Sequence, residues 1–162
     1  MNRHLIIAAM LSFTLVLDPR MAIAAKGIEL HLVVKEEIVS QNAQGKKVLS
    51  LVEPTSVIPG DMIVYTTHYH NTGKETADNV VITTPIPKET ALVNGSAAVE
   101  NATVSYSIDG GNHFDAPSNL IVTESRGKTR PATANDYTHI RWQLRHLAPT
   151  AHGSVAFHAK VR

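Results

Sequence analysis

The side chains with the most chemistry to offer are histidines. The chain holds nine, and all but His4 fall after residue 30. His68 and His70 stand two apart in a run rich in β-branched and aromatic residues. On a strand, residues i and i+2 project from one face about 6.7 Å apart at Cα. Two imidazoles so placed can share one transition-metal ion, with His158 or His31 as a third ligand. Such sites use three or four ligands, and no third is specified by the spacing. The expected reading is an exposed polar strand face, with no metal and no cofactor assigned. His139, close to Asp136 and with many serines in the chain, is the one residue that suggests a hydrolytic triad. It lacks a G-x-S-x-G elbow or any other nucleophile context. P-loop, G-x-G-x-x-G and H-E-x-x-H patterns are absent as well. No catalytic residue is assigned, and the chain is expected not to be an enzyme. Cysteine is missing altogether, which excludes disulfides, thiolate metal sites and a thiol nucleophile.

A second constellation is Ser107-Ile108-Asp109-Gly110-Gly111-Asn112-His113-Phe114. Its S-x-D-x-G-x-x-aromatic spacing resembles the Asp-box hairpin of sialidase propellers, where it is a structural turn. Turn chemistry alone accounts for it here, because an Asp side chain bonds local backbone and Gly accepts positive φ. Trp142, the only tryptophan, alternates with Ile140 and Leu144. That places it in the core, with Arg141 and Arg145 on the opposite, solvated face.

The elements that position these residues read as strands. Residues 25–40 alternate, with Ile28, Leu30, Leu32 and Val34 on one face. A turn at Asn42-Ala43-Gln44-Gly45 returns the chain over residues 46–53 as a hairpin. Pro59-Gly60-Asp61 opens the central strand, residues 62–70, whose inward set is Ile63, Tyr65, Thr67, Tyr69 and Asn71. Asn71-Thr72-Gly73 breaks it, and residues 79–84 follow as a strand of ambiguous orientation, closed by Pro85 and Pro87. Further strands are expected at 104–108, 120–122, 140–145 and 155–161. Residues 124–136 are polar, aperiodic and contain Gly127 and Pro131, so they read as the longest and most mobile loop. About eight strands at this spacing predict an all-β antiparallel sandwich.

The first residues read as a processing signal. Arg3 and His4 precede an apolar run over residues 5–17, too short to span a bilayer comfortably. Ala22-Ile23-Ala24 is a cleavage pattern. The expected organisation is a signal peptide over residues 1–24 and one domain over residues 25–162, exported to the periplasm or the extracellular space. No transmembrane segment is expected in the mature chain. Removing Arg3, Arg20 and Asp18 from a chain of 15 basic and 14 acidic side chains leaves equal numbers. A neutral balance lacks the basic stripe of a nucleic-acid binder, so no nucleic acid is expected as a partner.

Val57-x-Pro59-Gly60-Asp61, Tyr65, Asn71-Thr72-Gly73, Asn79-Val80 and Pro85-x-Pro87 occur in an order that resembles the DUF11 domain. The tail carries the likeness on through Tyr137-Thr138-His139-Ile140-Arg141-Trp142, Leu147-Ala148-Pro149 and Gly153-Ser154-Val155-x-Phe157. That family comprises immunoglobulin-like conserved repeat domains of exported prokaryotic proteins. The likeness covers about residues 48–162. It implies an immunoglobulin-like sandwich and a cell-envelope or extracellular setting, and it brings no catalytic residue. Two departures stand out. Many members have Gly where this chain has Thr150, and many occur as tandem repeats, whereas one copy is present here. The expected role is structural or protein-interaction-based, with an envelope or extracellular protein as partner and the oligomeric state open. The alternatives are a periplasmic metal-binding protein using His68 and His70, and a polymerising surface subunit that adds its leading strand, residues 28–34, to a neighbour's edge.

Overall fold

The computed structural model describes residues 27–162. The expected leader and its cleavage point lie outside them. β1 (Ile28–Gln41) carries the alternation into three dimensions: Ile28 is core, and Leu30, Leu32 and Val34 pack partly buried against it. The turn after it is closed by Asn42, whose N–H donates to the Lys46 carbonyl at 3.0 Å. The Asn42 Oδ1 accepts from the Gln44 and Lys46 amides, and Gly45 takes φ +74. The chain returns as β2 (Lys47–Val52), paired only with the end of β1 from Glu36 to Gln41.

β3 (Met62–Asn71) lies between β1 and β10 (His152–Val161). β5 (Thr90–Leu92) completes a five-stranded sheet of order β2-β1-β3-β10-β5. As the alternation predicts, Ile63, Tyr65, Thr67 and Asn71 are buried and Tyr69 packs against the core. Val64, on the opposite face, is buried too. It is flanked on both sides, by Lys35 of β1 and His158 of β10.

β4 (Ala77–Pro85), β9 (His139–Leu147) and β6 (Ala102–Ser107) form the facing sheet, order β4-β9-β6. Ile82 stands opposite Trp142, which settles the orientation of β4: Val80, Ile82 and Thr84 point inward. Every pairing is antiparallel, and the two sheets form an open β-sandwich. Its centre is aromatic. Tyr65 stacks on Phe157 with centroids 4.8 Å apart, and Trp142 lies 6.4 Å from Phe157. Trp142 is 1% exposed, and its indole N–H donates to the Ala97 carbonyl at 2.8 Å. A buried indole needs such a partner.

The described residues form ten strands rather than about eight. The additions are β5 and β8 (Thr129–Pro131), each of three residues. Three residues are too few for period two to register. β8 pairs with β7 (Ile121–Thr123), and this corrects the expectation of a mobile loop over residues 124–136. Arg130 holds the segment in place. Its guanidinium donates to both oxygens of Asp136 at 2.7 and 2.8 Å, and its Nε donates to Glu124 at 2.8 Å. The order comes from a two-point ion pair, which leaves no hydropathy pattern.

At one end of the sandwich the chain changes sheets twice, from β3 to β4 and from β9 to β10. Asn71 ties both crossings. Its side chain is 2% exposed. The Nδ2 donates to the carbonyls of Glu75, Leu147 and Ala148 at 2.9, 2.8 and 3.2 Å. The Oδ1 accepts from the Gly73 amide at 2.9 Å. A Cβ on Gly73 would come within 3.0 Å of that oxygen, so the Asn-Thr-Gly order is a packing requirement. The Asn71 carbonyl also accepts from Thr150 N–H at 2.9 Å. Thr150 holds φ +62 there, a left-handed conformation that a β-branched residue rarely takes.

Candidate functional site

His68 and His70 both lie on the outer face of the five-stranded sheet and are exposed. The register gives them their neighbours. His31 of β1 is opposite His68, and Ser154 of β10 is on its other side. Glu29 and His152 flank His70 in the same way. The rings of His70 and His152 meet edge to face with centroids 6.2 Å apart. Glu29, His31, His68, His70 and His152 line a solvent-open depression of about 550 Å³. Of the two third-ligand candidates, His31 is adjacent and His158 is not. His158 sits opposite Val64, and its Nδ1 lies 3.5 Å from Glu37. His152 escaped the sequence reading because its position depends on how β10 pairs with β3, a long-range register that a single sequence does not display. Among the described residues, no group of three or more His, Asp or Glu is arranged to hold a metal ion. A second open depression, of about 390 Å³, lies on the outer face of the other sheet beside Asp78, Asn79 and His146.

The Ser107–Phe114 segment folds as a closed turn. Ser107, fully buried, donates from Oγ to Asp109 Oδ1 at 2.7 Å and accepts from the Gly111 amide at 2.9 Å. Asp109 Oδ1 accepts from the amides of Asn112 and His113 at 3.1 and 3.0 Å. The His113 amide, then the Ser107 hydroxyl, hold the Asp109 carboxyl well below the usual carboxylate range. Hydrogen bonds to the charged form have that effect. Gly111 takes φ +87, and a Cβ there would press on the His139 ring at 3.3 Å.

The imagined triad does not assemble. Asp136 is occupied by Arg130 and by the Thr133 amide and hydroxyl, both at 2.8 Å. The Arg130 contact, first, keeps its carboxyl depressed. The nearest polar partner of the His139 ring is the Thr138 hydroxyl, 3.2 Å from Nδ1. Burial lowers the His139 pKa, and the charge of Asp109 opposes that only in part. Phe114 meets His139 edge to face and carries the Arg141 guanidinium 3.6 Å above its ring. A cation over a ring face is attracted by its quadrupole. Arg141 is thus engaged on an aromatic ring, where a purely solvated side chain was expected. Among the described residues, no buried side-chain nitrogen or oxygen lacks a hydrogen-bond partner.

No family model, curated protein or solved structure matches this chain. Among the described residues, no helix is long and apolar enough to cross a membrane.

Proposed function

We propose that this is an exported, non-catalytic immunoglobulin-like domain of the DUF11 kind, with a structural or protein-interaction role in the cell envelope or extracellular space. The observation that carries the reading is how the perturbed groups are used. Catalysis draws on titratable groups that converge on one cleft. Here Asp109 closes a turn, Asp136 anchors the β7–β8 hairpin and His139 packs beside Gly111. Asp109 and His139 meet at one turn, Asp136 is held elsewhere by Arg130, and each is committed to structure. Thr150 supports the DUF11 likeness. It stands where many members have glycine, and it holds the positive φ that glycine takes without strain.

The test has two arms. Mass spectrometry of the protein recovered from its host is expected to show a chain starting at Ala25 in the exported fraction. Purified mature protein is expected to give background rates on ester, peptide, phosphate and glycoside substrates, and in-cell cross-linking to trap an envelope protein. Retention of Met1 removes the export reading. Turnover that survives repurification and is lost in His139→Ala removes the non-catalytic one.

A further inference from the structure

We infer that β2 is a self-recognition strand, which joins two copies of this chain through a two-fold axis at Ser50. The inference rests on the geometry of one sheet edge and on no view of where the protein acts. β2 is the terminal strand of the five-stranded sheet, and among the described residues β1 is its only neighbour. β1 and β2 continue beyond the last residue of β1 paired to β3, Glu37. The hairpin is therefore an arm that projects past the sandwich, and it is apolar on both faces. Val39, Leu49 and Leu51 are 62%, 58% and 51% exposed on one side, and Ile38 and Val48 are exposed on the other.

The free edge also offers main-chain groups. Asn42 N–H bonds to the Lys46 carbonyl. Hydrogen-bonded pairs in an antiparallel ladder recur at every second residue. Ser40 with Val48, Ile38 with Ser50 and Glu36 with Val52 continue that series in the observed register. The N–H and C=O of Lys47, Leu49, Leu51 and Glu53 then point outward, toward no other strand among the described residues.

The order of residues along this edge selects the partner. It reads Lys47-Val48-Leu49-Ser50-Leu51-Val52-Glu53, which is symmetric about Ser50 in size and opposite in charge at its ends. An antiparallel copy centred there sets Lys47 against Glu53, Val48 against Val52 and Leu49 against Leu51, each twice. The odd-numbered pairs are those whose main-chain groups face out, so they form the hydrogen-bonded pairs. Side chains of like parity stay on one face, so the two sheets run on as one. A register one step either way along the allowed series opposes Lys47 to Leu51, or Leu49 to Glu53, and breaks both the charge and the apolar matching. Glu53, already paired with Lys35, gains a second cation. The antiparallel overlap sets the two sandwiches at opposite ends of the paired arms. A two-fold contact uses the same patch on both copies. That is what a self-complementary strand provides, whereas a strand from an unrelated protein has no reason to match it.

The test uses the full mature chain. Analytical ultracentrifugation is expected to show a monomer–dimer equilibrium with no larger species. Lys47→Glu places two like-charge pairs across the axis and is expected to weaken the dimer by about tenfold. The double variant Lys47→Glu with Glu53→Lys is expected to recover most of that. In Ser50→Cys the two new thiols face each other across a non-hydrogen-bonded pair, about 4.5 Å apart at Cα, within disulfide reach. The chain has no other cysteine. Mild oxidation is expected to link it much faster than Gln44→Cys, which is the more exposed position, at the arm's tip, but lies off the axis. Equal linking rates, a monomer at all concentrations, open-ended polymers, or failure of the double variant to recover would each overturn the inference. A monomer captured only by a foreign strand overturns it too.

Discussion

β1 runs between two unlike ends of the molecule. At Ile28 it pairs with Asn71, in a corner where one side chain answers four backbone groups and glycines press close. At Gln41 it is half of an arm whose apolar side chains face solvent on both sides. The sequence pattern along the strand does not announce this change. Ile28, Leu30, Leu32 and Val34 alternate as well as Glu36, Ile38 and Ser40 do, but only the first set finds a second sheet to cover it. Alternation reports which residues share a face; what covers that face is decided by length and by the other strands. The arm outruns the sandwich, and the corner does not.

Substitutions at the two ends should therefore behave as different kinds of change, and the middle of the core sets the scale. Trp142→Ala removes the largest fully buried side chain and is expected to cost about 3–5 kcal/mol, read by urea unfolding. A loss below about 1 kcal/mol is the size seen at surface positions, and it would mean that the aromatic centre is not what holds the sheets together. At the corner, Asn71→Ala removes the side-chain partner of the Leu147 carbonyl and of the Gly73 amide, and leaves the Ala148 carbonyl with the Ala151 amide alone. The expected cost is about 2–4 kcal/mol, with early hydrogen exchange at the amides of Thr150 and Ala151. A loss within about 0.5 kcal/mol would place the corner among ordinary surface positions and dissolve the comparison.

Much of the fold was legible in the residues. The hairpin, the inward face of β3, the burial of Trp142 and the turn at Asp109 all follow from local pattern or turn chemistry. What stayed hidden is non-local. The Arg130–Asp136 pair orders a segment with no periodicity. His152 reaches His70 only through the β3–β10 register. Asn71 reads as a turn residue, and its partners at Leu147 and Ala148 are far along the chain. The symmetry of Lys47–Glu53 is present in the sequence, but it acquires meaning only once β2 is known to be an edge.

A smaller change tests the corner in the opposite direction. Thr150 is exposed and contributes its backbone N–H to Asn71 while holding φ +62. The left-handed conformation costs an L-residue roughly 1–2 kcal/mol, and glycine avoids this at some expense in unfolded-state entropy. Thr150→Gly is therefore expected to stabilise the protein, by about 0.5–1 kcal/mol. A destabilisation of that size would show that the threonine side chain, and not only its amide, holds the crossing in place.

The smallest effect on folding belongs to the arm. Leu49 is more than half exposed, stands opposite Val39 and touches no second layer. Leu49→Thr keeps the preference for a strand and removes apolar surface that folding does not cover. Unfolding measured at a concentration where the chain is monomeric should change by less than about 0.5 kcal/mol. The same substitution places a hydroxyl against Leu51 of the second copy at both symmetric positions, so the dimer should weaken while the monomer's unfolding curve stays put. This separation is what distinguishes the ends of β1: at Asn71 a side chain is needed to fold, and at Leu49 a side chain is needed only to meet another molecule. If Leu49→Thr lowers monomer stability by 2 kcal/mol or more, as burial of a leucine would require, the arm is packed against its own chain and the contrast between the two ends fails.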